Sequence, residues 1–147
     1  MAAIKKTVRI FIRRPIMEVF SFIAEPGNFS RWQPFVVEAA LTSKGPMRQG
    51  TTYRYCFQAL GQTVETTGKI TEYKPHSRYL FESTNSPFFI KGGFLLEEVD
   101  GFTRISAFGE VEPAGYFQMA QSIIGILLER QLHSTLRNLK EILEGRA

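Results

Sequence analysis

Apolar and polar residues alternate near the start of the chain. Within residues 7–13, Val8, Ile10 and Ile12 fall on one side of an extended backbone, and arginines take part of the other side. A period of two is typical of a strand with one buried face. We therefore expect a first β-strand in this segment.

The apolar spacing changes to that of a helix directly after this strand. Pro15 suits the first turn of a helix, and Glu18 suits its positive end. The apolar positions that follow are Ile16, Val19, Phe20 and Ile23. A second, short helical turn is expected over residues 28–32, where Asn28 provides a cap and Pro34 a stop.

A series of short extended segments fills the middle of the chain. The expected strands cover residues 36–43, 51–59, 62–74, 78–84, 88–99 and 102–112. The separators contain Gly, Pro, Asn and Asp, and several are only two or three residues long. Such connections join antiparallel neighbours, because a parallel pair needs a long crossover. The sheet is therefore expected to be antiparallel.

The end of the chain, from Tyr116 to about Glu144, contains no proline and indicates one helix about 43 Å long. Its second half has a single leucine stripe, whereas its first half is apolar nearly all round. We expect one stripe of the first half to face the sheet, and Met119 and Ile126 to meet a second subunit, a membrane surface or a mobile loop. The alternative is burial of both residues inside the monomer. A homodimer through Met119 and Ile126 is one form of the first expectation.

Together the elements predict one α+β domain over residues 1–147. A curved seven-stranded antiparallel sheet wraps around the long C-terminal helix, and two short helices follow the first strand. The most specific phrases are Val8 to Pro15 followed by Glu18-Val19-Phe20, the Trp-x-Pro corner of residues 28–34, residues 70–75 and the final amphipathic helix. With these phrases the chain resembles the START-like (SRPBCC, helix-grip) superfamily, which includes the polyketide cyclase/dehydrase proteins.

The resemblance implies a hydrophobic cavity between the sheet and the terminal helix, which in relatives holds lipids, hormones, polyketides or quinones. Strand alternation then indicates the lining: Tyr53, Tyr55 and Phe57 share one face, opposite smaller residues of the next strand. The candidate ligand-binding residues are Trp32, Tyr53, Tyr55, Phe57, Thr66, Phe81, Phe94, Ala107, Ile124 and Leu128.

Composition narrows the class of protein further. With 44% hydrophobic and 22% charged residues, the chain resembles an average globular protein rather than a disordered one. Cys56 is the single cysteine, which excludes an internal disulfide, and no segment reaches the roughly 18 apolar residues of a spanning helix. The basic start lacks a secretion signal, so a cytoplasmic location is expected. A net charge of +4 is too small to predict nucleic-acid binding.

Motifs for catalysis are scarce. His76, His133 and Cys56 lie in contexts typical of surface or core residues, and the chain has no GxGxxG, Walker or HExxH motif. No metal site and no cofactor are expected. If the cavity is catalytic, the polar candidates besides the tyrosine hydroxyls are Arg54, Glu65, Glu82 and Arg104.

Three functions follow from this sequence. The first is binding or transport of a small hydrophobic ligand such as a lipid, polyketide or quinone. The second is a cyclase or dehydratase that acts on a bound hydrophobic substrate, so the question of enzymatic activity stays open. The third is an interaction protein that uses a basic surface on RNA, ribosomes or anionic membrane. Buried ionisable residues in the cavity would favour the second function, and an apolar cavity would favour the first.

Overall fold

The computed structural model describes residues 4–33, 35–59, 61–84, 88–113 and 121–145. The helices are α1 (Ile16–Ile23), α2 (Phe29–Trp32) and α3 (Gln121–Glu144), with a 3-10 turn at Pro26–Asn28. The strands are β1 (Ile4–Ile12), β2 (Val36–Leu41), β3 (Thr52–Ala59), β4 (Gln62–Lys74), β5 (Arg78–Ser83), β6 (Phe88–Val99) and β7 (Phe102–Pro113).

All seven strands form one antiparallel sheet in the order β1-β7-β6-β5-β4-β3-β2. Consecutive strands β2 to β7 are neighbours, as their short turns predict, and β1 pairs with β7. The predicted helix-grip fold, with its seven strands, two early helices and long C-terminal helix, is confirmed. The first strand begins at Ile4 rather than at residue 7, because Ile4 to Lys6 continue the ladder with β7.

The main core lies between the sheet and the helices. Alternation in β1 buries Val8 and Ile12, as predicted, and Ile12 is fully enclosed. Trp32, at the end of α2, and Leu139, in α3, are also fully enclosed and belong to the same apolar cluster. The helices therefore close one face of the sheet.

The C-terminal half of α3 is fastened to the end of β1. Its leucines at positions 136, 139 and 143 are buried, as the single stripe predicts. The backbone N–H of Arg13 donates to Glu144 Oε2 at 2.8 Å, and Arg14 Nε donates to the carbonyl oxygen of Leu143 at 2.8 Å. These long-range bonds fix the end of the helix against the strand.

The N-terminal half of α3 has two different faces. Ile124 is buried, whereas Ile123 and Ile126 are 54% and 59% exposed. The structure thus leaves Ile126 uncovered, so the alternative of burial inside the monomer does not hold for this residue. Met119 lies outside the described residues.

A membrane crossing requires a helix of about 20 mainly apolar residues. Within the described parts of the chain, no helix is both long and apolar enough to cross a bilayer.

Candidate functional site

Eight aromatic rings form a continuous row over the inner face of the sheet. Successive ring centroids lie 5.1–6.5 Å apart, a spacing typical of aromatic pairs. In order, the rings are Phe35, Phe57, Tyr55, Tyr53, Phe81, Tyr79, Phe94 and Trp32. The row links β3 to β6 and ends at the corner that follows α2.

The register of β3 and β4 places each ring of β3 opposite a smaller residue. The pairs are Tyr53 with Gly68, Tyr55 with Thr66, and Phe57 with Val64. This is the arrangement that the alternation of the two strands predicts. A Cβ at Gly68 would lie 2.5 Å from the carbonyl oxygen of Glu82 and would also overlap the Tyr53 ring. Glycine at this position therefore makes room for the aromatic row.

A pocket of about 110 Å³, here called the inner pocket, lies between the sheet and α3. Rings and aliphatic side chains dominate its wall, together with two glutamines and one threonine. Its lining consists of Gln33, Phe35, Tyr55, Phe57, Phe81, Ile90, Gly92, Gly93, Phe94, Phe108, Gly109, Val111, Ile124, Leu127, Leu128, Gln131, Leu132 and Thr135.

A second, smaller space of about 40 Å³ lies beside it and is here called the side pocket. Gln33, Tyr55 and Phe81 border both spaces and so form the partition between them. The other residues of the side pocket are Phe29, Val36, Leu41, Met47, Tyr53, Ile70 and Tyr79. A shift of the partition would join the two spaces.

The candidate ligand-binding residues from the sequence fall into three groups. Those that border the inner pocket are Tyr55, Phe57, Phe81, Phe94, Ile124 and Leu128. Tyr53 borders the side pocket only. Trp32, Thr66 and Ala107 are buried but belong to neither lining set. Their roles in ligand binding stay predictions.

Sequence reasoning missed the polar part of the lining. Gln33 follows the last residue of α2, and Gln131 and Thr135 lie one helical turn apart on α3. Polar residues in a helix are normally assigned to the solvent side, so their inward position gave no signal. The nearest hint was the Trp-x-Pro corner, which contains Gln33.

Burial raises the pKa of the tyrosine hydroxyls in and near this site. Desolvation is the cause for Tyr55, and the main cause for Tyr53 and Tyr79, where neighbouring tyrosines add to it. The Tyr79 hydroxyl donates to the carbonyl oxygen of Ile23 at 3.4 Å. A pKa raised by desolvation means that the surroundings disfavour a negative charge.

Two buried polar atoms have no hydrogen-bond partner among the described residues, Trp32 Nε1 and Thr135 Oγ1. Trp32 is fully enclosed, and Thr135 is only 2% exposed. An unpaired buried donor or acceptor costs about 1–3 kcal/mol, so a native protein usually has a reason to keep one. Both atoms belong to the two helices that meet at the end of the inner pocket, α2 and α3.

The charged residues suggested for catalysis lie away from this lining. Arg54 forms ion pairs with Glu38 at 2.8 Å and with Glu65 at 3.5 Å, and all three lie on the outer side of the sheet. Arg104 pairs with Glu97 at 2.7 Å. Glu82 is not in either lining set, and the described residues form no cluster suited to a metal ion. In its described residues, the pocket wall offers amide and hydroxyl groups rather than an acid and a base.

Comparisons with known proteins agree with the fold. The family model described as "Polyketide cyclase / dehydrase and lipid transport" matches residues 3–144. Among curated protein sequences, none is similar enough to the chain to count as a match.

Solved structures with the same fold come from several bacteria. TTHA0849 from Thermus thermophilus is 17% identical, with a TM-score of 0.83 over 97% of this chain and 99% of that one. The Zhui aromatase/cyclase from Streptomyces sp. R1128 is 11% identical, with a TM-score of 0.84 over 97% of this chain and 94% of that one. At these identities the likeness establishes the fold alone.

Proposed function

Because the chain belongs to the polyketide cyclase/dehydrase and lipid transport family, we propose that it binds a small hydrophobic molecule in the inner pocket. The observation that carries this proposal is the pocket wall. Rings and aliphatic side chains make up most of it, and none of the described residues that line it is Asp, Glu, Lys, Arg or His. Pockets for small molecules are typically apolar with a few polar groups that orient the ligand.

The energetics of an empty pocket support the proposal. Engineered voids cost about 24 cal/mol per Å³, which for the inner pocket corresponds to about 3 kcal/mol. That is a large part of a stability of about 5–15 kcal/mol. A ligand that fills the pocket would recover this free energy.

The volume sets the size of the ligand. An engineered apolar cavity of about 150 Å³ holds one benzene molecule, so the inner pocket takes a single ring or a short chain without rearrangement. A longer ligand would displace the partition formed by Gln33, Tyr55 and Phe81 and would enter the side pocket as well.

Native mass spectrometry followed by organic extraction tests the proposal. The purified protein is expected to carry a stoichiometric hydrophobic molecule, or to take up ethylbenzene when it is purified empty. Leu127→Phe, which adds volume to the lining, should reduce the bound fraction severalfold. Val37→Phe is the matched control, because Val37 is exposed and borders neither pocket.

Each outcome of this test separates the candidate functions. Recovery of an unchanged ligand supports carriage, and recovery of a cyclised or dehydrated product from an added substrate supports the cyclase or dehydratase alternative. Protein that carries nothing and takes up no ethylbenzene would contradict the proposal.

We also propose that the exposed face of α3 joins two copies of the chain. Ile123 and Ile126 are three positions apart, so they lie on neighbouring parts of one helix face, and more than half of each side chain is exposed. Light scattering should give the mass of a dimer for the wild type and of a monomer for Ile126→Asp. Val37→Asp is the control, because Val37 is an equally exposed apolar residue on β2, and it should leave the mass unchanged. A monomeric wild type would refute the contact.

A further inference from the structure

We propose that Gln33, Gln131 and Thr135 form a polar subsite that selects an uncharged ligand with a carbonyl or hydroxyl group over a carboxylate of the same size. This inference rests on the proposed function, because it assumes that the inner pocket binds a hydrophobic molecule. It specifies the end of the pocket that recognises the polar group of the ligand, and it specifies hydrogen bonding as the chemistry of recognition. The three residues are here called the amide corner.

The position of the amide corner follows from the helices. The N–H of Gln33 donates to the carbonyl oxygen of Phe29 at 2.9 Å, which fixes the backbone where α2 ends. Gln131 and Thr135 are four residues apart, so they share one face of α3, and α2 packs against α3. All three side chains border the inner pocket.

The polar lining residues of α3 lie toward one end of the wall. The helix contributes Ile124, Leu127 and Leu128 at one end and Gln131, Leu132 and Thr135 at the other. At 1.5 Å per residue, the span from Ile124 to Thr135 is about 16 Å. A ligand with an apolar body and one polar group would therefore have a defined orientation in the pocket.

Within the described part of the chain, the side-chain hydrogen-bonding groups of the amide corner have no protein partner. Thr135 Oγ1 is buried without a partner among the described residues. No other described residue makes a hydrogen bond with the side-chain amide of Gln33 or Gln131. A carboxamide donates through its nitrogen and accepts through its oxygen, so the corner can bind either a carbonyl or a hydroxyl group.

Charge decides against an anionic ligand. No Lys, Arg or His occurs among the lining residues that the structure describes, so a carboxylate would lose its hydration without gaining a cation there. Burial raises the pKa of the Tyr55 hydroxyl, which means that the surroundings of this hydroxyl also disfavour a negative charge. A neutral carbonyl or hydroxyl group would lose much less hydration on entry.

Three probes of nearly equal size test the inference: acetophenone, ethylbenzene and benzoate at pH 7. Trp32 is the single tryptophan and its ring lies 5.1 Å from that of Phe94 in the pocket wall, so its indole N–H resonance reports binding. We expect acetophenone to bind about fivefold more tightly than ethylbenzene, as one net hydrogen bond allows. Benzoate should bind more weakly than either.

The double variant Gln131→Leu/Thr135→Val should bind ethylbenzene at least as well as the wild type and lose the preference for acetophenone. Its matched control is Gln58→Leu/Thr63→Val. Gln58 donates to Thr63 at 2.8 Å on exposed parts of β3 and β4, and neither residue belongs to the lining set. Gln131→Leu alone, at a half-buried helix position, serves as the second variant if the double variant does not fold.

The outcomes separate this inference from the proposed function. If no probe binds, the proposed function fails. If ethylbenzene binds and acetophenone binds no better, or if benzoate equals acetophenone, the pocket binds hydrophobic molecules but the selectivity is refuted. If the pocket variants prefer acetophenone as strongly as the control variant does, the assignment of this preference to the amide corner is refuted.

Discussion

Two buried threonines differ in whether their hydroxyl group has a hydrogen-bond partner. Thr103 Oγ1 donates to the carbonyl oxygen of Arg14 at 2.8 Å, whereas Thr135 Oγ1 has no partner among the described residues. Thr103→Val should lower the free energy of unfolding by about 1–2 kcal/mol, because it leaves a buried carbonyl unpaired. Thr135→Val should raise it by about 1 kcal/mol in ligand-free protein, because it removes an unpaired hydroxyl.

Urea unfolding of both variants after ligand extraction checks this pair. A loss of stability in Thr135→Val equal to that in Thr103→Val would mean that the Thr135 hydroxyl has a partner in solution. The same result would remove one of the observations that support the amide corner. It would not affect the proposal that the apolar wall binds a hydrophobic molecule.

Gly68 is a residue at which a single methyl group should be costly. The added Cβ of Gly68→Ala would lie 2.5 Å from the carbonyl oxygen of Glu82 and would displace the Tyr53 ring. We expect a loss of about 1–3 kcal/mol in the free energy of unfolding, as for other overpacked cores. Gly27→Ala is the matched control, because its added Cβ would meet only Glu25, at an ordinary contact distance of 3.6 Å. Gly61→Ser, in the turn before β4, is unsuitable as a control, because Gly61 has a φ of 77° that favours glycine.

At the level of elements, α3 combines a structural half with a half that serves the pocket. Leu139 is fully enclosed beneath the C-terminal half, whereas Ile126 is mostly exposed. In the monomer, Leu139→Ala should therefore cost about 3–5 kcal/mol, and Ile126→Ala less than about 0.5 kcal/mol. Chemical denaturation of the two variants, at a protein concentration at which light scattering gives a monomer, compares the effects on the same helix. Equal losses under this condition would mean that the chain itself covers Ile126.

The elements could be predicted from the sequence because each follows a local rule. Alternation in β1 and the leucine stripe of α3 predict the observed burial of Val8 and Leu139. The start of β1 could not be predicted, because Lys5 and Lys6 interrupt the apolar pattern and their place in the ladder depends on pairing with β7.

The candidate site could be predicted only in part, because some of its residues come together only when distant elements pack. Rings on strands are located by alternation, which puts Tyr55 and Phe57 on one face, opposite Thr66 and Val64. Alternation does not say which of the two faces lines the pocket. Gln131 and Thr135 border the pocket only because α2 and the curved sheet meet α3 at that point. Sequence periodicity contains no information on such a meeting of distant elements.

The whole molecule should lose stability in alkaline solution through its buried tyrosines. Burial raises the pKa of Tyr79 well above its ordinary value of about 10, with smaller contributions from Tyr55 and Tyr73. A raised pKa in the folded state means that this tyrosine supports folding fully below about pH 10. Above that pH the unfolded chain releases the proton and the folded chain retains it, so stability falls by about 1.4 kcal/mol per pH unit.

The comparison of Tyr79→Phe with the wild type isolates this effect, because phenylalanine has no proton to release. Between pH 8 and pH 11 the wild type should lose about 1.4 kcal/mol more of its unfolding free energy than the variant does. Tyr73→Phe is the matched control, since the Tyr73 ring is half-buried and its pKa is raised less. Parallel pH profiles for the wild type and Tyr79→Phe would mean that the Tyr79 hydroxyl reaches solvent, and the aromatic row would then be open to water rather than a dry wall for a hydrophobic ligand.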